Sequence, residues 1–339
     1  MATLTSDELR HLATHALLSA GASEAAARST ARGLVYADEQ GTGSHGVSRI
    51  PQYASHLAIG RIDGKARPHI QACRDAVAVV DAADGLAFPA CDLAVEHAIE
   101  VANALGVCFV VVRNSYHFGA AIYHLEPVAG AGMVGLALSN SPAAIAAAGG
   151  ARPLFGTNPI AAIFPRREGD PLAIDLALSE VARGKLLLAA KKGEPIPLGW
   201  ALDEEGQPTT DPARALKGSM APLGAAGGSP KGAMLALMVE LLVAAIAQSR
   251  FGFEADSFFE TRGNAPRIGQ AFLVLSPSAF GSSDGYLARI EALVAAMLDH
   301  PGVRLPGSRR YALQRKARSE GIPIADALVE QLRQIAAAG

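Results

Sequence analysis

Ser44 and His45 are adjacent in a polar, glycine-rich stretch, and Arg49 follows four positions after His45. A histidine can give or take a proton near neutral pH, and a neighbouring hydroxyl can orient it or pass the proton on. An arginine offers a planar fork to a carboxylate. If the segment is helical from Ser44, His45 and Arg49 share one face. A helix-capping Ser beside a solvated His and a surface Arg fits the same spacing, and spacing alone leaves both readings open. His117, in RNSYHFGAAIY, follows a buried apolar run, and Gly119 with the alanines after it would let a ligand ring come close. A strand-end His that only bonds the chain fits as well.

Other positions invite chemistry more weakly. Thr157 and Asn158 lie in GGARPLFGTNPIAAIFP, where free amides and side chains could meet a carboxylate, although turn formation alone explains Gly, Asn and Pro there. Asp175 is an acid inside an apolar strand-like run, so it needs a partner, whether a ligand or a structural ion pair. Lys231, in GGSPKGA, stands at the mouth of an apolar helix, a place suited to an anion. The run RLPGSRR places Arg304, Arg309 and Arg310 around a Pro-Gly turn, a grip for a phosphate or a solvated basic patch. No metal-ligand spacing emerges among the nine histidines.

GTGSHG, 41–46, matches the dinucleotide fingerprint G-x-G-x-x-G letter for letter. That fingerprint needs a strand before it and a helix after it. Here the preceding residues read as helix and no acid closes a second strand downstream, so a Rossmann fold is not expected. A serine hydrolase is disfavoured too, because no G-x-S-x-G elbow surrounds Ser44 and adjacent Ser and His side chains usually point apart.

The elements that must position these residues follow from composition and periodicity. The chain has 339 residues, half of them apolar and 18% charged, with a formal charge of −2. It is expected to be globular, with no nucleic-acid footprint. Three scattered cysteines fit free thiols in a reducing cytosol. The N-terminal stretch lacks a secretory pattern, and the longest apolar run, 232–247, carries Glu240 and is short for a bilayer span, so a cytoplasmic protein without a membrane segment is expected. Helices are expected over 6–20 with Ser6 as N-cap, from 24 to about Asp38, and from the polar turn to about Gly60. Strands are expected at 76–81, 107–115, 133–140, 159–165, 172–179 and 271–277, with helices at 91–106, 123–131, 180–193 and 231–248. Residues 194–230 read as loop with six prolines, and from 285 the chain returns to helix. The fold class expected is α/β, helical ends around a mixed-sheet body.

Taken together, SHGVSRIPQY, NSYHFGAA, LSNSPAAIAAAGGARPLFGTNPIA, IDLALSEVARGK, PKGAMLALMVELL and LPGSRRY resemble the malate/L-lactate dehydrogenase-type oxidoreductases, a family unrelated to the Rossmann lactate dehydrogenases. QPTTDP, PRIGQAFLVLSP and LPGSRRYALQRKARSEG are most like its Δ1-piperideine-2-carboxylate/Δ1-pyrroline-2-carboxylate reductase branch. The resemblance implies a non-Rossmann NAD(P)-binding domain over 71–284 with a mixed, mostly antiparallel sheet. It also implies a helical N-terminal part, 1–70, packed with C-terminal helices, 285–339, and a homodimer. It implies NADPH, or NADH, as cofactor and reduction of cyclic imino acids to L-proline or L-pipecolate. The same residues acting on malate, lactate or ureidoglycolate with NAD are the alternative. By the resemblance Ser44 relays a proton, His45 donates it, Asp175 joins the catalytic set, and Arg49 and Thr157 bind substrate. His117, Phe118, Gly119, Ala120, Ala121, Asp175, Leu176 and Ala177 would line the cofactor. Pro230, Lys231 and the loop Arg304, Leu305, Pro306, Gly307, Ser308, Arg309, Arg310 would complete its site. Two departures stand out: DLALS puts Leu178 where the family commonly has Thr, and PKG with Ser229 stands where H-K-G is usual.

Overall fold

The computed structural model describes residues 1–338. The chain opens with β1 (Ala2–Leu4), α1 (Ser6–Ser19), α2 (Glu24–Glu39) and α3 (Ile50–Ala58). A hairpin of β2 (His69–Arg74) and β3 (Val77–Asp81) leads to α4 (Ala87–Leu105) and β4 (Val107–Ser115). Then come α5 (Glu126–Gly130), β5 (Val134–Ser139), β6 (Ile145–Ala146), β7 (Pro153–Phe155), β8 (Ile160–Phe164) and β9 (Leu172–Leu176). Next are α6 (Arg183–Lys192), β10 (Ala201–Leu202), α7 (Pro212–Lys217), β11 (Ser219–Met220) and α8 (Lys231–Glu240). The chain closes with β12 (Ile268–Leu275), α9 (Ser283–Leu298), α10 (Ser308–Glu320), β13 (Ile322–Ile324) and α11 (Asp326–Ala337).

The main sheet runs β2-β3-β4-β12-β5-β8-β9, and only β3 and β4 pair in parallel. This is the mixed, mostly antiparallel sheet expected. Its strands are buried on both faces: Val110 and Val112 enter the cluster under α4, while Val111 enters the cluster on the opposite face. That double burial is why β4 reads as a continuous apolar run rather than an alternating one. The second face is covered by a four-stranded sheet, β10-β11-β6-β7, together with α6 and α8. Its strands of two or three residues carry no periodicity, and they fill what sequence reads as loop.

Several boundaries differ from expectation for identifiable reasons. Thr5, not Ser6, caps α1, through a reciprocal box with Glu8. Ser6 instead donates its hydroxyl to Glu39 at 2.7 Å. The helix expected over 123–131 is a 3-10 turn, Ala121–Leu125, followed by the short α5, because Pro127 has no N–H to extend a helix through that point. β2 was not expected; all six of its residues are exposed, so no buried apolar run marks it. The chain ends join in a two-stranded sheet, β1 against β13, and α10 packs on α2 and α11 on α1. The expected division put all of 285–339 against the N-terminal part. α9 lies elsewhere, with Ile290 and Val294 against Leu172, and Glu291 held at 3.2 and 2.8 Å by Arg166.

The long apolar helix expected at 231–248 widens into a π turn, Leu241–Ala245, directly after Glu240. Glu240 is 2% exposed. Its carboxylate accepts from the Asn140 and Asn158 side chains, each at 3.1 Å, and from the Gly156 and Gly252 amides, each at 3.3 Å. Three loops are thereby tied to one helix. Burial pushes this carboxyl above its ordinary pKa, and the four donors pull it back. Glu240→Ala removes the acceptor and strands those donors, so we expect a loss of about 3 kcal/mol or more in urea unfolding.

Candidate active site

Ser44 and His45 lie in a 3-10 turn, Gly43–His45, just after α2, and a second such turn, Val47–Arg49, leads into α3. The turn carries its own support beneath it. The Asp38 carboxylate accepts from the Val47 amide at 2.7 Å. A Cβ on Gly46 would sit 2.1 Å from Asp38 Oδ1, and one on Gly43 would sit 3.3 Å from the same atom. Gly46, and less tightly Gly43, therefore leave room for the Asp38 carboxylate, while Gly41, at φ +71°, packs on Leu313. Burial raises the Asp38 carboxyl to about 7, with the Val47 amide opposing the rise.

Ser44 Oγ and His45 Nδ1 are 3.0 Å apart, so this neighbouring pair does not point apart as adjacent residues usually do. Arg49 donates its Nε to the Ser44 carbonyl at 2.7 Å and a terminal nitrogen to Gln52 at 3.2 Å. The His117 ring stacks on His45, with centroids 5.6 Å apart, and Tyr53 Oη lies 2.6 Å from its Nδ1. Burial lowers the His45 pKa to about 4, and the cations of Arg49 and Arg310 add to the effect. Burial, then Arg49, push His117 well down as well. Both rings are neutral at pH 7.

Two adjoining cavities meet at these rings. One, about 240 Å³, is lined by His45, His117, Phe118, Gly119, Ala120, Ala121, Asp175, Leu176, Ala177 and Arg310, among others. The other, about 140 Å³, is lined by Ser44, His45, Arg49, His117, Thr157, Arg183 and Phe259, among others. His45, His117, Thr157 and Ala177 border both. Asp175 Oδ2 accepts from the Ile122 amide at 3.3 Å and faces Arg310 at 3.4 Å. Burial raises the Asp175 carboxyl, opposed by Arg310. Arg310 also donates to the Asp175 carbonyl at 3.0 Å, and it joins the first cavity to a groove formed by Arg304, Leu305, Gly307, Ser308 and Arg309. The Pro306 carbonyl meets the Ala173 amide at 3.2 Å, which fixes this loop to the sheet edge.

The structure thus brings together the two sequence-distant histidines, Arg49, Thr157, the 175–177 strand end and Arg310. Pro230 and Lys231 are exposed at the start of α8 and line neither cavity. Leu178 is fully buried in the core on the second face of the sheet, so the departure at this position lies away from both cavities. Sequence reasoning missed Asp38, Arg183, Ser141, Phe258 and Phe259. For Asp38 the signal was present, as an acid just ahead of two closely spaced glycines. Among the described residues no helix is long and apolar enough to cross a membrane, and no group of His, Cys, Asp or Glu could hold a metal ion.

The sequence model of the malate/L-lactate dehydrogenase family matches residues 4–333. The chain belongs to this family. A (2R)-3-sulfolactate dehydrogenase (NADP(+)) of Chromohalobacter salexigens is 50% identical, over 97% of this chain and 96% of that protein. The solved Δ1-piperideine-2-carboxylate reductase of Pseudomonas syringae superposes with a TM-score of 0.92 at 37% identity, covering 99% of this chain and all of its own. The sulfolactate dehydrogenase of Methanocaldococcus jannaschii superposes with a TM-score of 0.90 at 33% identity, over 98% of this chain and 96% of its own. As a member, the chain is an oxidoreductase with the mixed α/β fold of these neighbours.

The close approach of Asp38 makes a direct prediction. Gly46→Ala forces the His45 turn off the carboxylate, and a displacement of about 1 Å suffices to cut turnover about 100-fold. Steady-state rates with circular dichroism check that activity falls while the fold is kept.

Proposed function

We propose that this protein interconverts short 2-oxo and 2-hydroxy acids with NADP(H). The observation that carries the reading is the pair of cavities meeting at a neutral His45, with an Arg49 that forms no ion pair among the described residues on one side. Arg49 fixes the substrate carboxylate bidentately, which places C2 and its oxygen beside His45. The nicotinamide, when bound, supplies or takes the hydride at C2. His45 takes up its second proton once the substrate carboxylate offsets Arg49, gives that proton to the carbonyl oxygen and is left neutral. The neutral ring takes the hydroxyl proton in the oxidative direction, with Ser44 Oγ as its hydrogen-bonding partner.

The larger cavity suits the cofactor. Ala120 and Ala121 leave a low wall that a flat ring can approach, beside Gly119, whose φ of +73° and closeness to the Phe88 ring leave no room for a side chain. Arg304 and Arg309, beside Arg310, offer guanidiniums with no ion pair among the described residues, suited to a 2′-phosphate. The 50% identical relative carries NADP(+) in its name, which supports the same choice here.

Reduction of a cyclic imine, the reaction expected from sequence, is the second reading, favoured by the close superposition on the piperideine-2-carboxylate reductase. Against it, an imine that arrives protonated would bring positive charge beside Arg49, Arg183 and Arg310, and would need no proton from His45. A homodimer is also proposed, supported by the unpartnered Met234, Met238, Leu241 and Ile246 on and just beyond α8, which are 55%, 42%, 50% and 55% exposed. Sedimentation at twice the chain mass checks it. A cytoplasmic site is proposed from the three unbridged cysteines.

The test is NADPH oxidation with 3-sulfopyruvate, oxaloacetate, pyruvate and Δ1-pyrroline-2-carboxylate. We expect turnover of 2-oxo acids to exceed that of the imine, and His45→Ala to lower it about 100-fold or more. A faster imine rate, or full turnover by His45→Ala, contradicts the reading.

A further inference from the structure

We propose that Gln52 is a positioning residue. It aims the Arg49 fork at the substrate carboxylate, as the first link of a hydrogen-bond relay that runs through Tyr116 and His56 to the Glu260 carbonyl. This rests on the proposed reading in which Arg49 holds that carboxylate.

The polarity of the relay follows from its far end. A backbone carbonyl only accepts, so His56 Nε2, 2.9 Å from the Glu260 oxygen, carries the ring proton and donates it. Arg61 Nη1, 3.2 Å from Nε2, donates to the same oxygen. Burial lowers the His56 pKa, opposed by the bond to Glu260, so the ring is neutral at pH 7 and its Nδ1 is an acceptor. Tyr116 Oη therefore donates to Nδ1 and is left to accept from Gln52 Nε2, at 3.0 Å. That orients the Gln52 amide with Oε1 toward Arg49, whose Nη1 donates to it at 3.2 Å. A flipped amide would set its NH2 against the guanidinium and its oxygen against an oxygen whose proton is already given. Tyr116 and His56 are each 1% exposed, so the middle of the relay is shielded from exchange with water.

The relay closes on the arginine it starts from. Phe259, next to Glu260 in the chain, lies against Arg49 with the guanidinium 5.2 Å from its ring centroid. The buried Arg61 ties the same segment down through the Asp256 carbonyl at 3.4 Å and the Asn264 carbonyl at 3.1 Å. Arg49 is thus set by the Ser44 carbonyl on Nε, by Gln52 on Nη1 and by Phe259 on its face. Nη2 and the second hydrogen of Nη1 are left for a carboxylate. Each holding contact that is lost returns rotamer freedom to a long side chain, and substrate must then remove that freedom on binding.

The experiment compares wild type with Gln52→Leu, Tyr116→Phe and the double variant, with circular dichroism as the check on folding. Steady-state rates give KM for NADPH and for whichever of 3-sulfopyruvate, oxaloacetate and pyruvate the wild type reduces fastest. Gln52→Leu is expected to raise the KM of the 2-oxo acid about 10-fold and to leave the NADPH KM within about 2-fold. Tyr116→Phe, which acts through Gln52, is expected to raise it about 3-fold, and the double variant to match Gln52→Leu rather than the product of the two effects. An unchanged 2-oxo acid KM in Gln52→Leu overturns the proposal. So does an NADPH KM that rises equally, the sign of a general loosening, and so do effects that multiply in the double variant. If wild type reduces no 2-oxo acid, the proposed function has failed, and calorimetric titration of the NADP+-loaded enzyme with oxamate carries the same comparison. Oxamate binding weakened in Gln52→Leu would still support the relay, and unaltered or undetectable binding would overturn it.

Discussion

A neutral imidazole held near two guanidiniums governs the chemistry available to this fold. His45 is crowded enough that burial carries its pKa to about 4, and Arg49 and Arg310 push in the same direction. In that state it lacks the second, imidazolium proton that a carbonyl oxygen would take. A carboxylate docked on Arg49 cancels part of the opposing field, so substrate binding itself raises the affinity of His45 for a proton. In the proposed reaction, binding and proton transfer are linked through this field, and the two cavities that share His45 are the spaces proposed for cofactor and substrate.

The fold spends two buried carboxylates on keeping this arrangement in register. Asp38 lies under the 43–47 turn and accepts from the Val47 amide, with Gly46 where any side chain would collide. Glu240 gathers donors from the 140, 156–158 and 252 loops, which adjoin Ser141, Thr157 and the Phe258–Phe259 segment of the cavity walls. Among the described residues neither pairs with a cation; Asp38 is met by a backbone amide and Glu240 by backbone and asparagine amides. On the histidine side, Tyr53 fixes His117 from α3, which couples the N-terminal helices to the end of β4.

Much of this was legible in the chain because it is local. The Ser44-His45-Arg49 spacing, the Gly119–Ala121 run after β4 and the β-branched strands each carry their signal within ten residues. What escaped is what depends on distant packing. Arg183 reads as one charge in a helix start, and only the fold sets it over Phe259 beside Arg49. The strands β6, β7, β10 and β11 are too short to show a period, so the small sheet that helps cover the second face looked like loop. Leu178 stands where the family commonly has Thr, yet the chain alternates there, with Ala177 lining the cavity and Leu178 turned into the core.

The central claim is that an anion on Arg49 turns His45 from a neutral ring into a proton holder. The most direct measurement is an NMR pH titration of labelled His45 in the full-length protein loaded with NADP+, with and without saturating oxamate as a non-reacting 2-oxo acid mimic. The account predicts an apparent pKa near 4 without oxamate and a rise toward the ordinary histidine range with it. A His45 pKa that stays unchanged when oxamate binds, or falls, would contradict it.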